Sequence, residues 1–535
     1  MVDFIPKVRY RGRPALLIVL GALSGILLSH SGISVPWMLL PIVLGILVQQ
    51  AKNFYLRCWS PPPLLFPFDT PSPYATKEEV AIPFERVTLV LCTIPLFFFY
   101  AKVRDLPRQE LRTARTFYQQ QLDILYPIRQ QLEEATIFLA EMPTPTGYRY
   151  TIRLRIPDGV VLPSEYHYAS SLKATFDLTP IRNGREVDRS SGFRNYLLSE
   201  GFEAEGVLQS IEHIEKSAHV PLRVQMRQVR AKLLHAFEAK SSTYIEQRDR
   251  GLLYALCLGE RGYLPKDVKQ SFTYAGVAHL LAVSGYHLGV VFGILGGILL
   301  WLLPGWRYMR IRALILLLGL LAYTFLSGAS TATLRAMVMS GILLSSRILR
   351  RPTDSIQLLS LTLLFFLLIN PYAYRSVGLL LSLGAVWGIY LFTTPLFTFI
   401  NPQHPLLRYL LQLLLVTFSV QLTILPLLCY FFDGLPLSFL WSNLPLILLS
   451  SLLIPVGLIV LLLTPLIPLP AIIYLLLGQL TAFVREVVQA FSPIGQDLTL
   501  KINFDLPLCV LYYTALLLLY QLLYTRANSL HGSRL

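Results

Sequence analysis

The feature that most constrains this chain is a set of long apolar runs in which charge is almost absent, among them residues 311–326 and 444–463. Each approaches the ~20 residues that an α-helix needs to cross about 30 Å of hydrocarbon. Only 14% of the 535 residues are charged and 54% are hydrophobic, against roughly 25% charged in a soluble globular chain. The reading is an all-α polytopic membrane protein. Apolar spans near 14–30, 34–50 and 86–101 come first. Others follow near 277–303, 311–326, 333–349, 356–370, 377–397, 409–430, 437–465, 471–486 and 506–525, which gives about twelve transmembrane helices. Between the second and third spans, Pro61, Pro62, Pro63, Pro71 and Pro73 mark a loop.

Charge distribution sets the expected orientation. The formal net charge is +15, and the positive-inside bias of membrane proteins accounts for much of such an excess. With Lys7, Arg9, Arg11 and Arg13 in the cytoplasm ahead of an uncleaved first helix, three spans place residues 102–250 outside. The same count returns Arg307, Arg310 and Arg312, then Arg347, Arg350 and Arg351, and finally Arg526 and Arg534 to the inside. Three regions result: an N-terminal anchor over 1–101, an extracytoplasmic domain over 102–250, and a membrane domain of about nine helices over 251–535. Of the five cysteines, Cys58, Cys92, Cys257, Cys429 and Cys509, none lies in the extracytoplasmic region. No disulfide is expected there, and no Cys/His spacing suggests a metal.

Within 102–250, Leu111, Leu122, Leu125, Ile128 and Leu132 recur near helical spacing, which predicts a helix over 105–137 that Pro127 divides. Residues 148–156 alternate strictly: Tyr148, Tyr150, Ile152, Leu154 and Ile156 point one way, and Arg149, Thr151, Arg153 and Arg155 the other. A second strand is expected over 172–178, and a helix over 222–250 leads back to the membrane. The cationic face of the first strand has two readings, a solvated outer face or a contact for phosphates.

The densest signal is 251–289, GLLYALCLGERGYLPKDVKQSFTYAGVAHLLAVSGYHLG, where glycines, histidines and a serine interrupt an apolar context. Polar groups at membrane depth are costly unless they are paired or face water, so this segment faces a helix interface or an aqueous path. Its string from Gly276 through His279, Ser284, Gly285 and His287 to Gly289 resembles the signature of the ComEC competence family, as does the upstream Leu256-Cys257-Leu258-Gly259-Glu260-Arg261. Leu334-Arg335-Ala336 is similar to a later family element. So are Asn370-Pro371, Leu381-Ser382-Leu383-Gly384-Ala385, Pro426 and Asn443-Leu444-Pro445, all in the family's order.

The resemblance implies an inner-membrane channel that passes single-stranded DNA into the cytoplasm during natural transformation, with an extracytoplasmic OB-like domain. It implies DNA-passage candidates at Gly259, Arg261, Gly276, His279, Ser284, Gly285, His287, Gly289, Arg335 and Asn443, and DNA-binding candidates at Arg149, Arg153 and Arg155. Implied partners are single-stranded DNA, a periplasmic or surface DNA receptor, a cytoplasmic helicase or translocase, single-strand-binding proteins, a separate nuclease, the bilayer and a second copy of the chain. Many family members carry a metallo-β-lactamase-like C-terminal domain. Here there is no HxHxDH cluster, and His531 alone of the nine histidines lies beyond His404, so no cofactor or metal is expected and the chain is not read as an enzyme. Gly259-Glu260-Arg261-Gly262 lacks Walker spacing, so energy is expected from elsewhere.

Bland readings stand beside these. Gly285 and Gly289 form a small-xxx-small pair suited to close helix packing. Arg335 either snorkels to the interface or meets phosphates. Asn443 is expected to satisfy backbone freed by Pro445. Ser284 and His287, read as i,i+3 on one helix face, allow a hydroxyl–imidazole bond, yet no carboxylate shares that helix. The alternatives are a membrane-embedded hydrolase or lipid-modifying enzyme centred on Ser284 and His287, and a small-solute transporter, which would call for intramembrane charge pairs and broken helices in matching halves.

Overall fold

The computed structural model describes residues 14–30, 93, 96–101, 115–128, 136–143, 149–156, 170–181, 197–216, 222–349, 355–399, 404–432, 435–500, 502 and 506–532. The expected span at 34–50, the proline-rich loop and the N-terminal cations lie outside these residues. Two compact units are present, one of 1–110 with 356–374 and one of 111–355 with 375–535. The first contains α1 (Pro14–His30), a helical stretch at 96–101, and an apolar helix whose bounds are Ser355–Ile369. Within it, the Tyr100 hydroxyl donates to the Leu368 carbonyl.

The second unit begins with a closed barrel of five strands: β1 (Arg115–Ile128), β2 (Thr136–Pro143), β3 (Arg149–Ile156), β4 (Ser170–Pro180) and β5 (Ala204–Lys216). Their order is β1-β2-β3-β5-β4, with β3 and β5 parallel and the other pairs antiparallel. This is the arrangement of an OB-type barrel. β3 follows its sequence pattern: Tyr150, Ile152, Leu154 and Ile156 are buried together with Leu122, Phe176, Leu178 and Leu208. β4 contains the expected strand at 172–178.

The helix expected over 105–137 is not formed where the chain is described; 115–128 is β1. The leucine spacing mimicked a helix, but β1 pairs with β4 from Arg115 to Asp123 and with β2 from Asp123 to Ile128. A helix there would leave β2 and β4 with open edges, which closure removes. Leu125, central to the helical pattern, falls at a bulge between Ile124 and Tyr126. Pro127 is tolerated because the pairing with β4 has ended four residues earlier, at Asp123, so its missing N–H interrupts no second ladder.

After the barrel come α2 (Leu222–Ser241), α3 (Gln247–Leu258) and α4 (Lys266–Tyr274), then α5 (Gly285–Leu302), α6 (Met309–Leu326) and α7 (Thr331–Ile348). With α8 taken as the Ser355–Ile369 helix, the series continues with α9 (Val377–Gly388), a π-turn at Ile389–Thr393, and α10 (Thr394–Phe399). Last come α11 (Pro405–Phe432), α12 (Phe439–Leu463), α13 (Ala471–Asp497) and α14 (Leu506–Gly532). Short strands β6 (Leu435–Pro436) and β7 (Thr499–Leu500) pair between them. Six of the described helical runs are long and apolar enough to cross a membrane: α5, α6, α9 through α10, α11, α12 and α13. The protein is therefore a multi-pass helical membrane protein with an inserted β-barrel.

α3 is the buried centre of the helical part; Gly251 through Leu258 are all buried. Its first turn holds Asp249, whose Oδ1 accepts from Arg485 Nε of α13 at 2.7 Å, with both side chains largely enclosed (4% and 15% exposed). Removing one member of such a pair strands the other charge, at a cost of about 3–5 kcal/mol. Asp249→Leu is expected to lower the thermal unfolding temperature in detergent markedly, while Asp249→Leu with Arg485→Leu regains much of the loss. An unchanged transition in Asp249→Leu would show that the pair contributes nothing.

Candidate functional site

The continuous helix expected over 277–303 is broken. Residues 278–281 form a short 3-10 turn and α5 starts only at Gly285. Breaking a helix at membrane depth exposes backbone groups that need partners, and the family-like residues supply them. Gly259 ends α3 in the left-handed region (φ 69°), where a Cβ would fall 2.9 Å from the Ser327 carbonyl oxygen. Arg261 Nε donates to the Leu281 carbonyl at 3.0 Å, fixing the 3-10 turn. Gly276 (φ 74°) lets the chain lie against Phe439, whose backbone nitrogen would stand 3.1 Å from an added Cβ. The Ser438 and Ser442 hydroxyls of the adjacent segment donate to the Tyr274 and Ala275 carbonyls at 2.7 and 2.6 Å.

Ser284 does not share a helical face with His287; it is the N-cap of α5, in extended conformation. Its backbone N–H donates to His287 Nδ1 at 3.2 Å, and its Oγ lies 3.2 Å from the same nitrogen. Together they form a capping box, with His287 in the place of the usual Glu or Gln. His287 is fully buried and its Nε2 has no partner among the described residues. An Nδ1 that accepts from a backbone N–H leaves the imidazole proton on Nε2. The adjacent Tyr286 hydroxyl donates to the Ile447 carbonyl at 2.9 Å, tying α5 to α12.

The remaining candidates scatter. His279 is exposed on the 3-10 turn. A Cβ at Gly285 would make an ordinary 3.6 Å contact with Ala336, whereas Gly289 meets nothing within 4 Å, so only the first glycine of the expected pair packs on a described neighbour. Asn443 is buried, and its Oδ1 has no partner among the described residues. Arg335 does not snorkel. It is buried, and its Nε donates to Ser382 Oγ of α9 at 3.0 Å.

On the barrel, Arg149 pairs with Asp123 and Glu141 at 3.3 Å each, and Arg153 pairs with Glu205. Arg155 is exposed. The cationic stripe read from β3 is thus largely balanced by carboxylates that β1, β2 and β5 bring beside it.

Sequence reasoning missed a set of cations on α2. Arg230 donates to the Leu258 carbonyl at 3.1 Å and to Glu260 at 2.6 Å; Arg227 donates to the Gly328 carbonyl at 3.3 Å; Lys240 donates to the Thr464 carbonyl at 2.6 Å. All three carbonyls stand at helix C-termini, where acceptors are bare and the dipole favours cations. The i,i+3 spacing of Arg227 and Arg230 was visible, but their targets were not.

The fold and these residues define a multi-pass membrane protein with a broken, polar-capped segment in its helical core. A family model described as "Competence protein" matches residues 256–526, just over half of the chain, and the chain belongs to that family. Among curated relatives, "ComE operon protein 3" of Bacillus subtilis is 32% identical over 190 residues, covering 34% of this chain and 22% of the relative. "Recombination protein 2" of Haemophilus influenzae is 33% identical over 203 residues, covering 36% and 26%. "Uncharacterized protein YcaI" of Escherichia coli is 28% identical over 198 residues, covering 36% and 26%. The matched part spans about a quarter of each relative's length. No solved structure matches.

The capping role has a direct test. Ser284→Ala is expected to cost about 1 kcal/mol and to be read as a lower unfolding temperature, whereas Ser284→Asp and His287→Gln, both good at their cap positions, retain stability. If Ser284→Asp loses as much stability as Ser284→Ala, the capping assignment is wrong.

Proposed function

We propose that this protein is an inner-membrane channel that passes single-stranded DNA into the cytoplasm during natural transformation. The carrying observation is that the competence-family match falls on the helical half containing the broken segment before α5 and the buried Arg335. The barrel supports the same reading, since OB-type barrels present grooves to single strands. Orientation with the N-terminus inside and the barrel outside follows from the basic residues of the connecting loops. Passage is passive or driven by an external motor, and the partners are single-stranded DNA, a receptor that delivers it and a cytoplasmic translocase.

The protein acts here as a conduit and not as an enzyme. A serine nucleophile needs a base oriented by a third group, whereas His287 Nδ1 is engaged by the Ser284 backbone and its Nε2 meets no carboxylate among the described residues. That geometry suits a helix cap.

In a clean deletion strain of a transformable host, labelled duplex DNA is expected to accumulate outside the cytoplasm. Protected cytoplasmic single strands and marker transformants are expected to vanish, and the intact gene to restore both. Equal cytoplasmic uptake without the protein would refute the channel and bring the solute and lipid hypotheses forward.

A further inference from the structure

One end of the α5, α6 and α7 group carries cations without countercharge. No Asp or Glu lies between Asp267 and Asp354, whereas Arg307, Arg310, Arg312 and Arg347 all fall in that stretch. Packing brings them to one level. Gly319 of α6 meets Leu295 of α5, and Gly296 lies 3.9 Å, at its Cβ position, from Leu316, so the two helices run antiparallel. A Cβ at Gly341 of α7 would stand 3.6 Å from Leu317. Continuing α5 from Gly296 to Trp301, and α7 from Gly341 to Arg347, carries both beside the first turn of α6, near Ile311. Arg312 is occupied with the turn itself, its Nη1 donating to the Leu303 carbonyl at 3.2 Å. Arg307, Arg310 and Arg347 are exposed and pair with no carboxylate among the described residues. Trp301, 81% exposed, and Tyr308 stand beside them.

The surface below these cations has the length of one lipid leaflet. Ile311, Leu314, Leu318 and Leu321 recur at helical spacing along α6 and are all exposed. Arg307 precedes Ile311 by one turn and Arg310 precedes Leu314 by one turn, so cations and stripe share a face. From Ile311 to Leu321 the helix rises about 15 Å, half of a hydrocarbon core of about 30 Å. The other end of α6 is the one that Arg227 of α2 reaches at Gly328, just after the barrel; the cationic end is removed from it by the helix length, about 27 Å for 18 residues. A cationic rim over an apolar stripe, with aromatic side chains at the boundary, complements a molecule with an anionic head and an acyl tail. A nucleic acid or an acidic protein matches the rim but offers nothing to the stripe. We propose that Arg307, Arg310 and Arg347, with Trp301 and Tyr308, form a headgroup site for an anionic phospholipid in the leaflet away from the barrel, with an acyl chain along the Ile311–Leu321 stripe. Such a lipid joins α6 to α7 by charge and holds the far end of α5, the helix that starts at the break. The site rests on the membrane-spanning fold and not on the channel reading.

The probe is phosphatidylglycerol titrated onto the full chain in detergent, with phosphatidylcholine of the same acyl length as control, and retained lipid is counted by native mass spectrometry. The wild-type chain is expected to hold phosphatidylglycerol about twentyfold tighter, each arginine near the headgroup giving about three- to fivefold. Arg307→Gln with Arg310→Gln is expected to lose about tenfold of that affinity and Arg347→Gln about threefold, with phosphatidylcholine unaffected in both. Arg307→Lys with Arg310→Lys, which keeps the charge, is expected to stay within about twofold of wild type. Because these side chains are exposed, every variant is expected to unfold at the wild-type temperature without added lipid, and phosphatidylglycerol to raise that temperature least in the double glutamine variant. Inorganic phosphate, which lacks the tail, is expected not to displace the lipid. Equal affinity of the wild-type chain for the two lipids, or a double glutamine variant that binds phosphatidylglycerol as wild type does, would overturn the site. So would displacement of phosphatidylglycerol by a short oligothymidine, which would assign the rim to nucleic acid. None of these readouts involves DNA entry, so failure here leaves the channel reading standing.

Discussion

The helical core depends on the way α2 answers bare carbonyls at helix ends. A helix leaves its last four C=O groups without intrahelical partners, and in an apolar surround each is costly to leave unmet. Arg227, Arg230 and Lys240 of one helix reach the ends of α6, α3 and α12. Arg230 adds an ion pair with Glu260, in which both side chains are mostly enclosed (12% and 24% exposed). The turn it braces is already strained: Gly328 sits at φ 90° and the non-glycine Ala329 at φ 49°. Such backbone persists only where its surroundings over-determine it. The guanidinium of Arg230 also fills the place a Cβ would need at Gly328, 2.7 Å from Nη1. Because α2 follows directly from the barrel's last strand, the element that leaves the barrel is also the one that seals the helix ends.

With those ends sealed, the chain can break its helices between Gly259 and Ser284. The residues most characteristic of the family are spent on that break. Gly259 and Gly276 supply left-handed turns beside close backbone neighbours, Arg261 holds the 3-10 turn, and Ser284 with His287 starts α5. Few of them are free to touch a cargo. A motif of this kind records the cost of a non-helical segment in an apolar slab as much as it records chemistry, which is why its serine and histidine read as a dyad by sequence and as a cap by geometry.

The legible parts were those whose signal is local. The apolar spans expected after residue 250 coincide with helices, that at 277–303 only from Gly285, because long uncharged runs have few other solutions. β3 was legible through its period of two. β1 was not, because Leu122, Leu125 and Ile128 fit a helical period, and only pairing to β2 and β4 overrides it. The break before α5 was hidden for a related reason: residues 277–283 are apolar enough to extend a helix, and what stops them is Phe439 against Gly276 and Arg261 on Leu281, contacts distant in sequence. The partners of Arg149, Arg153 and Arg335 lie 8 to 52 residues away along the chain, beyond any local pattern.

Those partners bear on how a polyanion would travel. A strand carries one charge per phosphate, so a row of free arginines would hold it by many simultaneous contacts and at steep salt dependence. Conduction needs sites that are favourable enough to enter and weak enough to leave. On this chain two of the cations nearest the proposed route are moderated: Arg149 by Asp123 and Glu141, and Arg153 by Glu205. On the proposed route a phosphate arriving at such a cation would exchange with a carboxylate that stays tethered nearby and returns when the phosphate moves on. The free-energy change per step is then the difference between two anions on one guanidinium. A small difference repeated at each phosphate is the condition under which an external motor could draw the strand without having to break a strong bond at every nucleotide.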